Sequence, residues 1–291
     1  MKHYTSLLLA NTERDVPQLQ SEATARAEIG LEVELLDQHT LNTHFKMNRP
    51  GAILSRLSLQ LDPLKFTNQI LKAAEKHRCR VYSHTKLRPL PGSHTAFTCV
   101  DGQHHRIESN HVVWASGYET PEQFPAIRRL SKLTSTFVLA IHPLPPDRIW
   151  PQRALIWDTD DPYLYARTTS DNRIIIGGGD EPFANPTLRD ELIPAKTRQL
   201  LRKFNSIFPL RNVEVETAWA GTFAHTEDQL PYVGVMDEFP CCYFALGYGG
   251  NGITLSLVAA QIIRDAILGR KNPVARLFSF TRAVQPPATS A

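Results

Sequence analysis

Four glycines fall within six residues, Gly247-Tyr248-Gly249-Gly250-Asn251-Gly252, between a β-prone run at 242–246 and a helical run at 253–268. Glycine removes the side chains that would hold a ligand off the backbone. A helix starting directly afterwards offers unpaired N–H groups and the positive end of its dipole. Such a turn can receive an electron-rich group. Phosphate is one candidate, but the spacing is neither GxxxxGK followed by Ser or Thr nor GxGxxG, and no lysine precedes Thr254, so a phosphate cradle is disfavoured. The competing reading, that the glycines only let a helix pack closely on a strand, stays open at this point. A second group is Tyr163, Tyr165 and Arg167, which alternate along a short β-prone run and so share one face. Arg167 can grip a carboxylate through two parallel hydrogen bonds. The plainer alternative packs the tyrosines into a sheet and leaves Arg167 solvated; it is preferred for Tyr165 and left even for the other two.

The elements that must carry these groups are partly visible. Residues 4–10 read as a strand, and residues 12–29 as a helix with Pro17 in its first turn and Gly30 at its end. A clearer helix runs over 62–76, with Asp62 as cap, Pro63 at the first position, and Phe66, Ile70, Leu71 and Ala74 at helical spacing. Strands are predicted at 81–87 and 95–100, separated by Pro91-Gly92, with Asp101-Gly102 turning into Arg106-Ile107 to complete a β-meander. Residues 112–115 read as a buried strand feeding the turn at Ser116-Gly117. Short runs at 133–141, 154–157, 163–167 and 173–176, broken by Pro, Asp and Asn, predict an antiparallel sheet. A helix at 194–208, a strand at 213–219 and a helix stop at Gly269 follow, and the tail from Gln285 is small and polar.

Bulk properties narrow the classes. The 291 residues carry 32 Lys and Arg against 29 Asp and Glu, a balance that implies neither nucleic acid nor an anionic membrane as partner. No apolar stretch has the length of a spanning helix, and the run at 7–10 is too brief for a signal-peptide core. Cys79, Cys99, Cys241 and Cys242 show no CxxC spacing, so neither zinc nor a disulfide framework is expected and a reducing cytoplasm is the default. Cys241-Cys242 reads as packing and His104-His105 as surface. HExxH, GxSxG and P-loop patterns are absent, which argues against metallopeptidase, serine hydrolase and NTPase chemistry.

Three further stretches occur in a telling order: Val112-Val113-Trp114-Ala115-Ser116-Gly117-Tyr118, then Arg173-Ile174-Ile175-Ile176-Gly177-Gly178-Gly179-Asp180, then Trp219-Ala220-Gly221-Thr222 with Thr226-Glu227-Asp228-Gln229-Leu230-Pro231-Tyr232-Val233-Gly234. With the final glycine turn they resemble the D-amino-acid oxidase-like FAD-dependent oxidoreductases, a family that includes glycine, sarcosine and γ-glutamylputrescine oxidoreductases. The resemblance spans residues 4–268. It implies a mixed α/β (α+β) fold in which an incomplete FAD/NAD(P)-binding Rossmann-like domain interleaves with an antiparallel β-sheet substrate domain. The corresponding segments are 1–60 (strand and helices of the substrate domain), 61–125 (part of the FAD domain, with the meander), 126–210 (substrate sheet), 211–270 (the C-terminal strand, glycine turn and helix of the FAD domain) and 271–291 (tail). It also implies FAD as cofactor, contacted by Ala115, Ser116, Gly117, Gly221, Gly247, Tyr248, Gly249, Gly250, Asn251, Gly252, Ile253 and Thr254. The substrate that the resemblance implies is a small amine or amino acid, oxidised at a C–N bond with no dedicated general base, and Tyr163, Tyr165 and Arg167 are the candidates to orient it. In glycine-oxidase-like members an arginine after the W-x-G stretch holds the substrate carboxylate; Phe223 stands there here, which favours an amine or a differently anchored acid.

The family begins with a strand, a GxGxxG turn and a helix, and that unit is absent from these 291 residues. The isolated chain is therefore expected to retain FAD weakly or not at all, and a separate chain can supply the unit. A non-catalytic remnant or interaction module, and a small-ligand cap, are the alternatives.

Overall fold

The computed structural model describes residues 2–89, 95–100, 103–183 and 185–282. Along the chain run β1 (Lys2–Leu9), α1 (Val16–Glu28), β2 (Val33–Asp37), β3 (Gly51–Gln60) and α2 (Pro63–Lys76). The meander β4 (Leu87–Pro89), β5 (Thr95–Val100) and β6 (Gln103–Glu108) precedes β7 (Val112–Trp114). Next come β8 (Lys132–Ile141), β9 (Leu155–Asp158), β10 (Leu164–Thr168), β11 (Ile174–Pro182) and α3 (Ile193–Ile207). The chain continues through β12 (Val215–His225), β13 (Tyr232–Met236), β14 (Phe239–Leu246) and α4 (Gly252–Ile267).

The chain divides into two compact units, residues 1–62 with 135–222 and residues 63–134 with 223–291. In the first, the eight-stranded sheet has the order β12-β8-β11-β10-β9-β1-β3-β2. Its pairings are antiparallel where the ladders are resolved, except that β1 runs parallel to β9, a departure from the purely antiparallel sheet expected. Leu7, Ile156, Ala166 and Ile176 fall in register and form one face of the core. That face is covered by α3, whose buried Leu200, Phe204 and Ile207 recur at helical spacing; each such side chain contributes about 1.5–3 kcal/mol of burial. On the opposite face, Ala10 and Ile53 pack against Leu19 and Ala23 of α1.

In the second unit a three-stranded sheet, β13-β14-β7, packs Val233 and Ala245 against Ala259, Ile262 and Ile263 of α4. Trp114, Phe124, Phe239 and Phe244 pack edge to face nearby, with ring centroids 5.0–5.9 Å apart. The meander forms its own antiparallel sheet. Helix α2 keeps a clear apolar stripe yet buries none of its residues, leaving Leu64, Ile70 and Leu71 exposed.

Two strand expectations need correcting. Residues 81–87 are not a strand: pairing starts at Leu87, opposite Thr98, and Val81 and Tyr82 are exposed with no ladder partner among the described residues, so β-propensity had nothing there to pair with. Nor is 112–115 a fully buried strand. Among the described residues β7 pairs on one side only, to β14, and Val113 is exposed while Trp114 alone is buried. Strands β2, β3 and β13 lay outside the expected set. The turns at Pro91-Gly92 and Asp101-Gly102 and the tail from Gln285 lie outside the described residues.

Candidate functional site

In the second unit, Val112, Val113 and Trp114 align in parallel with Cys242, Tyr243 and Phe244. The carboxyl ends of β7 and β14 therefore lie side by side, and the turns that follow them, Ala115-Ser116-Gly117 and Gly247 to Gly252, leave the same end of the sheet. Ligands of parallel sheets bind at that end. Gly117 has φ +59°, and a Cβ there would meet nothing within 4 Å, so the backbone faces open space. Ser116 and Thr120 share a hydroxyl hydrogen bond of 2.8 Å that steadies this turn.

The glycine turn is held from below. Gly247 has φ +75°, and a Cβ there would lie 2.6 Å from Thr226 Cγ2. Thr226 is buried, and its hydroxyl donates to the Leu230 carbonyl at 2.8 Å. Asp228, two residues on, accepts a bidentate pair from Arg282 at 2.7 and 2.8 Å. Arg282 also donates to the Pro231 and Leu230 carbonyls and lies 3.7 Å over the Tyr232 ring. The Arg282 hydrogen bond is the main reason that the Asp228 carboxyl is held below its usual range.

A single 3-10 turn, Gly249–Asn251, leads into the 16-residue α4, and Asn251 makes no side-chain cap. Asn251 thus leaves the first-turn N–H groups of α4 uncapped, and Gly250, Asn251, Ile253 and Thr254 are exposed. Tyr248 is half-buried, its phenol pushed up to about 12 by burial, and forms a β-bridge with His225. His225 Nδ1 lies 3.1 Å from Thr134 Oγ1. Trp114 Nε1 is buried with no acceptor among the described residues, a donor that a ligand or a further segment would satisfy.

In the first unit, the face opposite α3 brings Leu8, Trp157, Tyr165 and Gly177 into register. Tyr165 does not stand off the sheet. Its ring lies across Gly177, where a Cβ would come within 2.6 Å of Cε2 and overlap the ring further. Burial pushes the Tyr165 phenol up, opposed by a side-chain hydrogen bond with Thr136. Gly221 faces the same residue, its Cβ position 3.7 Å from Thr136 Cγ2. Tyr163 sits one residue before β10, its ring centroid 5.9 Å from that of Tyr165 at an interplanar angle of 36°. Its phenol is pushed up to about 12, mainly by burial and then by the charge of Asp180. Arg167 follows two residues after Tyr165 on the same face. Burial pulls its pKa down, and Asp62, Tyr165 and Tyr4 pull it back up, so the guanidinium is partly withdrawn from solvent.

The predicted groups thus fall into two sets. Ala115 to Gly117 and Gly247 to Thr254 gather in the second unit; Tyr163, Tyr165, Arg167 and Gly221 gather in the first. Thr136 and Arg282 join these sets without having been singled out from the sequence, where Asp62 reads only as a helix cap and Asp180 only as the end of a glycine stretch. Thr226 and Asp228 had a signal, the T-x-D stretch, whereas Arg282 lies 54 residues from its partner and had none.

A profile of the family described as FAD dependent oxidoreductase matches residues 2–266. γ-Glutamylputrescine oxidoreductase of Escherichia coli is 25% identical over 244 residues, 82% of this chain and 55% of that protein. Glycine oxidase of Geobacillus kaustophilus is 30% identical over 123 residues, 41% of this chain and 32% of that protein. The crystal structure of glycine oxidase from Geobacillus kaustophilus superposes with a TM-score of 0.82 at 22% identity, covering 97% of this chain and 75% of its own. L-Proline dehydrogenase from P. horikoshii gives 0.79 at 18% identity, covering 96% and 76%. The chain spans little more than half the length of the γ-glutamylputrescine oxidoreductase it matches.

Proposed function

Because the chain belongs to the FAD dependent oxidoreductase family, we propose that it is the greater part of a flavoenzyme that oxidises the C–N bond of an amine or amino acid. The observation that carries this reading is the exposed glycine turn at the carboxyl end of a parallel strand pair, opening into a helix with no side-chain cap. Membership in the family implies FAD, and the residues present fit it. The turns at Ala115-Ser116-Gly117 and Gly247 to Thr254 allow close backbone approach, and the start of α4 directs N–H groups and positive potential at an electron-rich ring edge. When bound, FAD supplies the redox chemistry, taking up a hydride from the carbon next to the amine and later passing electrons to oxygen or another acceptor.

The protein's own part is orientation. Arg167 binds a substrate carboxylate. The phenols of Tyr163 and Tyr165 stay protonated at neutral pH and act as hydrogen-bond donors and ring contacts, not as bases. Phe223 in place of a carboxylate-binding arginine favours an amine, such as the diamine derivative named for the Escherichia coli relative, over a simple α-amino acid. In this reading segments 1–60 and 126–210 belong to substrate binding and 61–125 and 211–270 to the flavin. The one-sided pairing of β7, the uncovered stripe of α2 and the orphaned Trp114 Nε1 support completion of the flavin half by a further strand–GxGxxG–helix segment, in the same or a separate chain. A reducing, cytoplasmic setting is part of this reading, from the lack of CxxC spacing among the four cysteines.

The test is a visible spectrum of the purified chain titrated with FAD, alone and together with a strand–GxGxxG–helix segment, followed by anaerobic reduction with a panel of amines and amino acids. Bleaching of bound flavin by an amine is expected. A protein that takes up no flavin in either form ends the catalytic reading, and simple D-amino acids outperforming every amine would end the substrate preference.

A further inference from the structure

We propose that Lys203 is a positioning residue for Tyr163, fixing the turn that sets this ring beside Tyr165; the proposal rests on reading Tyr163 as a substrate contact. Lys203 projects from α3, the helix on the core face of the first unit's sheet. Its ammonium lies 2.7 Å from Asp160 Oδ2 and 3.3 Å from Asp158 Oδ2, and it donates to the Pro162 carbonyl at 3.0 Å. Asp158 closes β9, and Asp160 and Pro162 belong to the turn from β9 to β10 that ends at Tyr163. The ammonium thus meets three oxygens, two of them as ion-pair partners and the Pro162 carbonyl as a hydrogen-bond acceptor.

The geometry closes from both ends. The Asp158 side chain is fully buried, and its other oxygen accepts from the Leu164 backbone N–H at 2.8 Å, at the first residue of β10. A single carboxylate therefore joins the entry of the turn, its exit and Lys203. Arg49 adds a second buried cation whose charge is felt by Asp158 and Asp160, while its hydrogen bonds go to Asn48, to the Ser206 carbonyl and to the Ser206 hydroxyl. On the sheet side, the Tyr163 carbonyl occupies the space that a Cβ at Gly178 would need. A buried ion pair is a weak source of net stability, because desolvation offsets the attraction. What this cluster supplies is a defined path for the backbone, and the ring that the path delivers is Tyr163.

The test compares the 291-residue chain with K203M, K203R and D160N by amide hydrogen exchange, and follows Tyr163 by tyrosinate absorbance against a Y163F control. In K203M, exchange over residues 159–163 should rise about tenfold or more, and the Tyr163 phenol should ionise below its value of about 12. K203R should restore both. D160N removes a partially exposed partner and strands no buried charge, so it should give a smaller rise. In FAD-loaded protein that turns over an amine, K203M should raise KM about tenfold with kcat nearly unchanged. Unchanged exchange over 159–163 in both K203M and D160N overturns the proposal, as does a loosened turn with an unaltered KM. If K203M loses protection throughout, D160N and K203R decide. A wild-type chain that binds FAD but reduces with no amine defeats the functional reading instead, and exchange and tyrosinate absorbance then decide the role of Lys203 alone.

Discussion

Replacing Gly247 by alanine adds one methyl group and incurs two separable penalties. The backbone there has φ +75°, where a β-carbon crowds its own chain, at about 1–2 kcal/mol. The new Cβ would also stand 2.6 Å from Thr226 Cγ2, well inside van der Waals contact, and overpacking of this kind costs about 1–3 kcal/mol. Gly247→Ala should therefore lose about 2–5 kcal/mol of stability. Thr226→Ser deletes the offending methyl while keeping the hydroxyl that bonds Asp228 and the Leu230 carbonyl; alone it should cost about 0.8 kcal/mol. In the double variant the clash disappears and the backbone strain persists, so the loss should fall short of the sum of the single losses by about 1–3 kcal/mol. Urea unfolding of the four proteins with a constant m-value measures this cycle, and fluorescence titration with FAD reports the turn itself. Losses that add to within about 0.5 kcal/mol would refute the packing argument, and a Gly247→Ala protein as stable as wild type would refute both terms.

Arg282→Met should unfold more readily in urea by about 3 kcal/mol, since it strands the largely covered Asp228 carboxylate. Asp228 has a depressed folded pKa, so its stabilisation is complete above the ordinary carboxylate value of about 3.9 and is lost as pH falls through the lower folded value. Acid-unfolding curves of the variant should lack that portion, and parallel curves would count against the clamp. Arg167→Met should weaken binding of carboxylate-bearing ligands about 10- to 100-fold, the worth of a charge-assisted pair, and leave simple amines nearly untouched; equal losses for both ligand classes in a titration would remove the guanidinium from substrate recognition. Phe223→Arg should shift the substrate profile toward α-amino acids, read as the ratio of kcat/KM values, and an unchanged ratio would detach residue 223 from specificity.

What could be read from the sequence was local. The turns at Ala115 to Gly117 and Gly247 to Thr254 announced themselves through glycine, and the parallel register of β7 with β14 explains why they emerge together. Helix α2 was legible because Asp62, Pro63 and apolar spacing agree, and α4 because a long helical run ends at Gly269. Strand β3 escaped because it mixes a continuous apolar start with an alternating end, and its partners β1 and β2 are distant in the chain. Residues 81–87 failed the opposite way, with strand-forming side chains but no neighbour to pair with until Leu87. The partners of the site residues were hidden for a related reason. Nothing local marks Lys203 as the counter-ion of the 158–162 turn or Arg282 as that of Asp228, since each pairing is made by the fold rather than by spacing.

The ring laid over Gly177 makes positions 165 and 177 a single variable. Any side chain introduced at 177 must evict an aromatic one from 165, so the two are expected to covary, glycine travelling with tyrosine and a larger residue with a small one. Redesign of this surface for a bulkier ligand accordingly begins by shrinking residue 165, which opens a hollow floored by bare backbone, and only afterwards by choosing what to build at 177.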